Sequence, residues 1–308
     1  MTLRVGLASC LAACSAAADD SGATGSAGGG GSDSTTTSTT AAGGAGGSTA
    51  MGGFDAGTGG GFDCVAAAKL VYVVGSGNQL YSFEPSTLAF TKIGYLDCKS
   101  NGAHPFSMGV DHNAVAWVLY DDGKIYNVST STAKCTPTNY VAGQQGFLTF
   151  GMGFGRDTPN GETEKLYVAD MASKGLGIVD TTTLTLSVVG PFDKETLGGE
   201  LTGTGDARLF GFFGESLPMK PMPPQISEID KTTGTILSQT PLPTIDMGTG
   251  WAFAFWGGYF WLFTSPFGHS QVDRFDPVSK KTLTVLPDAG FTIVGAGVST
   301  CAPLEPPT

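Results

Sequence analysis

Five residues of this 308-residue chain carry side chains able to recognise or transform a ligand and stand beside β-rich runs: Asp97, His104, Glu200, Asp246 and Trp251. Glu200 and Asp246 have the most specific potential chemistry. Hydrolysis of a glycosidic bond needs two carboxyl groups flanking it, one acting as acid and the other as base or nucleophile. Trp251 opens the run WAFAFWGGYFWLF, which holds three of the four tryptophans. A flat indole is a platform for a sugar ring, although alternating aromatics along two strands equally fit packing between sheets. The chain has three histidines, at 104, 112 and 269, and none is paired at metal-ligand spacing. No GxSxG elbow or phosphate-binding loop is present. Arg156–Glu164, RDTPNGETE, is oxygen-rich but lacks EF-hand spacing and reads as a solvated hairpin. No metal and no cofactor are expected.

The formal net charge is -11, with only 14% charged residues and 47 glycines. An acidic balance provides no electrostatic footprint for nucleic acid or for an anionic membrane surface. No stretch approaches the roughly 20 apolar residues that span a bilayer.

The N-terminus supplies another route to a membrane. Arg4 precedes a short apolar run, Val5 to Ala13, which ends in Leu11-Ala12-Ala13-Cys14. This resembles the lipobox of bacterial lipoproteins and implies acylation of Cys14, which anchors a chain without a helix. Ordinary signal-peptide cleavage near Ala16-Ala17-Ala18 is the alternative. Ser15, rather than Asp, follows the cysteine, which favours the outer membrane over inner-membrane retention. Residues 15–61 are Gly, Ser, Thr and Ala with the knot TTTSTT, and cannot bury apolar surface. They read as a disordered tether, with an end-to-end distance on the order of 35–40 Å.

The folded region, 62–303, is repetitive. A turn signature reads FEPST at Phe83, VSTST at Val128, VDTTT at Val179, IDKTT at Ile229 and FDPVS at Phe275, with spacings of 45, 51, 50 and 46 residues. An Asp or Ser side chain capping a turn between two β-rich runs is hairpin chemistry. Further runs precede the signatures: an aromatic, β-branched one (KLVYVV, VAWVLY, KLYVAD, RLFGFF, YFWLFT) and, before it in the last four units, one bearing glycine or alanine (FSMGV, FGMGF, LTGTG, FAFAF). Four strands per unit and a period of 40–50 residues predict an all-β, five-bladed β-propeller with four-stranded blades.

The first unit has no inner strand of its own, and the chain ends with a spare one, TIVGAG at Thr292 to Gly297. Pairing the two would close the ring and remove exposed edges. Apart from Cys10 and Cys14 in the export segment, four cysteines remain, and an even count in an exported chain reads as disulfides. Of three connectivities, ring closure favours Cys64–Cys301, with Cys98–Cys135 joining the first two blades. Residues 304–308 form a tail.

The long loops all fall on the face of the blade-to-blade crossovers: Tyr95–Pro105, Tyr140–Gly146, Pro191–Glu200, Glu215–Pro224 and Leu242–Gly250. The five candidate residues lie there, so the expected binding surface is that ring mouth, taking an unidentified glycan or protein ligand. A monomer is expected. The phrases MGVDHNAVAWVLYDDGKIYNVSTSTAKC and VGAGVSTCAP, with the lipobox and tether, resemble propeller-like lipoproteins of myxobacteria. The resemblance covers the folded region, implies an exported, lipid-anchored propeller, and carries over no catalytic residue. Binding or scaffolding at the cell surface is the first reading, and a carbohydrate-active enzyme on the same fold is the alternative.

Overall fold

The computed structural model describes residues 64–159, 161–193, 198–214 and 222–307. The Cys14 lipobox and the 15–61 tether lie outside the described residues.

The structure is a five-bladed propeller of four-stranded antiparallel sheets. Blade 1 holds β1 (Val71–Gly75), β2 (Gln79–Glu84) and β3 (Ala89–Tyr95). Blade 2 holds β4 (Pro105–Val110), β5 (Val115–Tyr120), β6 (Ile125–Ser129) and β7 (Cys135–Pro137). Blade 3 holds β8 (Phe150–Arg156), β9 (Glu164–Asp170), β10 (Leu176–Val179) and β11 (Leu186–Gly190). Blade 4 holds β12 (Gly199–Gly203), β13 (Leu209–Phe213), β14 (Gln225–Ile229) and β15 (Ile236–Pro241). Blade 5 holds β16 (Trp251–Trp256), β17 (Tyr259–Phe267), β18 (His269–Asp276) and β19 (Lys281–Leu286). The last strand, β20 (Ile293–Val298), returns to blade 1 and pairs with β1, as Val71↔Val298 through Val74↔Gly295. The sheet order is β20-β1-β2-β3, so the C-terminal strand is the innermost strand of the first blade.

Burial follows position in the blade. The second strands are buried along nearly their whole length, because they pack against a neighbouring blade on both faces. The fourth strands are mostly exposed or half-buried. Along β16 and β17 the aromatics divide as alternation dictates: Phe253, Phe255 and Phe260 pack toward blade 4, whereas Trp261 and Phe263 pack toward blade 1. Near the axis, glycines are required by close approach. A Cβ on Gly151 would lie 2.0 Å from the Gly199 carbonyl oxygen, and one on Gly203 would lie 2.1 Å from that of Phe154.

The turn signatures act as caps. The Asp180 carboxylate accepts the N–H groups of Thr182 and Thr183, and Asp230 accepts that of Thr232. Asp276 accepts those of Val278 and Ser279. In blade 2 the Ser129 hydroxyl takes the same role toward Thr132. The hydroxyl groups of Thr232 and Ser279 hold Asp230 and Asp276 below the usual carboxylate range, together with these backbone donors, and the Thr183 and Thr182 N–H groups do the same for Asp180.

Both disulfides form: Cys64–Cys301 spans 237 residues and closes the ring, and Cys98–Cys135 spans 37 and ties the β3–β4 loop to β7. A buried polar network secures the same closure. Thr300 donates to Glu164 (2.8 Å) and accepts from the Arg156 Nε (3.3 Å), while the other Glu164 oxygen meets His112 Nδ1 at 2.8 Å. Arg156 and Glu164, the two ends of RDTPNGETE, pair with each other at the ends of β8 and β9.

Candidate functional site

The five sequence candidates do not assemble into one site. On the crossover face, Asp97 accepts the backbone N–H of Cys135 at 2.7 Å and so braces the loop beside the second disulfide. His104 is exposed, and its backbone N–H donates to Asp121. Asp246 is exposed and caps the backbone of Gly248. Trp251 is half-buried at the entrance of β16, and its indole N–H is buried without a hydrogen-bond partner. Residues 194–197 and 215–221 of the mouth loops lie outside the described residues.

Glu200 requires a correction. It stands not on a mouth loop but as the second residue of β12, pointing into the propeller axis with only 2% exposure. Its carboxyl accepts the Ser107 hydroxyl of blade 2 at 2.7 Å, and that hydroxyl in turn accepts the Met152 N–H of blade 3. Three blades are thus joined across the axis by one acid. Burial pushes the acid well above the ordinary glutamate range, with Ser107 and the Met152 N–H opposing. A carboxyl buried inside the axis is not placed to pair with an exposed Asp246 around a sugar.

A cavity of about 600 Å³ opens on the opposite face, between blades 4 and 5. Its floor is a row of rings. Phe260 lies 4.8 Å from Phe210 and 5.3 Å from Phe255, and Phe275 continues the row outward. Strand register explains why space remains. On blade 4 the row that faces blade 5 runs Phe210–Glu228–Ser238, with Phe212–Ile226–Thr240 beside it. Blades splay apart toward the rim, yet the outermost strand offers only a serine and a threonine to fill the widening gap.

The rim is polar. Arg208 stacks over the Phe210 ring and holds Glu228 through two bonds of 2.8 and 2.9 Å. That pairing keeps Glu228 below the usual carboxylate range. Asp206, Asp276, Lys280 and Glu305 complete the rim. Residues 304–306 of the C-terminal tail line the mouth, and the Gly257 N–H donates to the Pro303 carbonyl beneath them. A wall of aromatic and aliphatic groups below a few convergent polar ones is the usual composition of a ligand pocket.

Sequence reasoning looked to the long loops and missed this cleft, which is framed by short hairpins. A second cavity, about 290 Å³, occupies the related position between blades 2 and 3 and is lined by His112, Glu164 and Thr181 among others. Between blades 3 and 4 that position is crossed by Lys231, whose ammonium donates to the carbonyl oxygens of Arg156 and Asp157. The signal available in the sequence was the residue after the capping acid or serine: Pro85, Thr130, Thr181, Lys231 and Pro277.

No known protein family matches the sequence, and no curated protein does. Solved structures similar in shape are distant in sequence. Hydrazine synthase of Kuenenia stuttgartiensis is 12% identical with a TM-score of 0.43, over 76% of this chain and 70% of that one. A nidogen/laminin complex is 12% identical with a TM-score of 0.48, over 74% and 97%. The third, U3-55K, is 8% identical with a TM-score of 0.43, over 77% and 84%. Nothing about ligand or partner is carried over from them. The class of protein is a disulfide-locked five-bladed propeller. Its disulfides point to an extracellular or periplasmic location, and no helix among the described residues is long and apolar enough to cross a membrane.

Proposed function

We propose that this protein is an exported binding module, tethered to the outer membrane through an acylated Cys14 and residues 15–61, that takes its ligand in the cleft between blades 4 and 5. The observation that carries the binding role is the cleft itself: about 600 Å³ with an aromatic floor and a charged rim, at a seam whose outermost strand contributes Ser238 and Thr240. The pattern Leu11-Ala12-Ala13-Cys14 and the resemblance to lipoproteins support the anchor. The crossover face, with Asp97, His104, Asp246 and Trp251, is left as the second surface to probe, since Trp251 keeps an unpartnered donor there.

The test is a screen of the full chain against glycan and peptide arrays, repeated with Thr240→Trp, which fills the cleft. Binding lost in that variant supports the assignment; binding retained moves the site elsewhere. Mass spectrometry of the native N-terminus addresses the anchor: a diacylated Cys14 start is expected, and an unmodified start at Asp19 excludes it.

A further inference from the structure

We propose that the cleft between blades 4 and 5 binds a primary alkyl-ammonium group beside Asp206, where its quasi-equivalent between blades 3 and 4 is filled by the protein's own Lys231. This names the ligand chemistry of the binding module above and rests on that reading.

The correspondence comes from register. Leu166 pairs with Phe154 in blade 3, and Leu209 pairs with Gly203 in blade 4. Both leucines pack toward the preceding blade, and the aromatic that follows each, Tyr167 or Phe210, packs toward the next one. Counting outward from these pairs matches Lys165 with Arg208 and Asp157 with Asp206, in the two hairpins of the same face. The chemistry agrees. Lys165 pairs with Asp157 at 2.7 Å, and Arg208 lies within electrostatic reach of Asp206. From the facing blade, Lys231 follows the capping Asp230, and Pro277 follows the capping Asp276.

Lys231 therefore shows what this pocket shape accepts. Its four-carbon stem crosses the seam, and its ammonium reaches the Arg156 and Asp157 carbonyls with the Asp157 charge nearby. Between blades 4 and 5 the matching carbonyls belong to Gly205 and Asp206, and Pro277 has no side chain that could reach them. What remains is a cavity whose floor is Phe210, Phe260 and Phe275, suited to an alkyl stem and to the face-on attraction of a cation. On its rim four carboxylates, Asp206, Glu228, Asp276 and Glu305, outnumber two cations, Arg208 and Lys280. The chain as a whole carries a net charge of -11, which also draws cations in. The same chemistry is offered by a free aliphatic diamine or by a lysyl side chain on a peptide.

The experiment measures binding to the full chain by calorimetry. The probes are 1,4-diaminobutane, a lysine-containing peptide, and the same peptide acetylated at Nε. Saturable binding of an amine is expected, with the acetylated peptide weaker by tenfold or more. Asp206→Asn keeps the acceptor for Thr204 and should weaken binding by about tenfold, the value of one charge-assisted contact. Pro277→Lys should fill the cleft from within and abolish binding. Lys231→Ala should create a second amine site and become heat-stabilised by butylamine, which tests the correspondence independently of cleft 4–5. A peptide that outperforms the diamine identifies a protein source, and the reverse identifies a small amine. Equal binding of the acetylated peptide, or no effect of Asp206→Asn, overturns the ammonium assignment while leaving the cleft as a binding site. Amine binding that survives Pro277→Lys overturns the location. No amine binding to the parent chain overturns the inference outright, and the glycan screen then decides the binding reading alone.

Discussion

Blade 5 meets its two neighbours differently. Toward blade 1 the seam is filled from axis to rim. Phe83 is fully buried, 4.7 Å from Phe90 and 5.5 Å from both Trp261 and Phe263, and Phe291 stacks on Tyr81 at 4.3 Å farther out. Leu286 of the outermost strand closes the edge. Toward blade 4 the inner half is equally aromatic, but the outer half offers Glu228, Ser238 and Thr240, and a cleft opens. The geometry of the ring is the same at both seams, so wedge-shaped space is created at each. Side-chain volume on the outer two strands decides whether that space becomes core or site. The filled seam flanks blade 1, within which the chain's two ends are joined by the β20–β1 pairing, so sealing it supports ring closure.

The largest expected effect comes from breaking the sealed seam. Removing residues from Thr292 onward takes away β20, leaves β1 without its inner partner, and exposes an edge at the axis. Loss of the cooperative thermal transition is expected by circular dichroism; unchanged melting would mean that blade 1 closes without that strand. Cys64→Ser with Cys301→Ser isolates the covalent part. On the chain-entropy model a crosslink spanning 237 residues contributes about 5 kcal/mol, whereas the crosslink spanning 37 contributes about 4 kcal/mol. Urea titration of the two double mutants should rank them in that order.

Within the seams, Phe83→Ala should cost about 3–5 kcal/mol, because the surrounding rings cannot collapse into the void. At the open seam Thr240→Ala should change stability by less than about 0.5 kcal/mol, since no packing is lost there. Equal costs from chemical denaturation would refute the contrast between a sealed and an open seam.

The axis adds a pH-dependent term of its own. Glu200 is buried and its folded-state pKa is raised. The stability it contributes is therefore complete below the unfolded value of about 4.3 and is lost as pH rises above it, because the unfolded chain releases the proton and the native one retains it. Glu200→Gln keeps a neutral acceptor for Ser107. It should match the parent near pH 4 and melt progressively higher than the parent between pH 5 and 8. A constant offset across that range would show that ionisation is not the cause.

Much of this architecture was legible because each blade repeats the same tasks. The capping Asp180, Asp230 and Asp276 betrayed the hairpins, and the surplus strand after Phe291 betrayed the closure and with it the Cys64–Cys301 bond. What was not legible depended on single-residue boundaries and on unfilled volume. Reading β12 as LTGTG placed Glu200 just before the strand; the strand starts at Gly199. Side chains alternate with period two, so that small shift carries a carboxyl from the mouth into the axis. Ser238 and Thr240 read as ordinary outer-strand residues, and only packing against blade 5 reveals that they leave space. The residue after each capping acid was visible in the sequence, but its meaning required knowing that Lys231 reaches blade 3.

One small effect most directly converts one seam into the other. Thr240→Leu places a branched aliphatic at the position that Leu286 occupies in blade 5, since Thr240 pairs with Ile226 as Leu286 pairs with Val272. The added side chain enters existing space rather than a packed core, so the usual overpacking cost does not apply. Burial of its extra carbons should stabilise the domain by about 0.5–1 kcal/mol. The paired change Ala254→Leu, in the filled seam, should instead destabilise by about 1–3 kcal/mol. Opposite signs in thermal melts are the expected result. If Thr240→Leu destabilises as well, the cleft is held open by contacts that its lining does not show, and its volume is a property of the whole blade pair rather than of two small side chains.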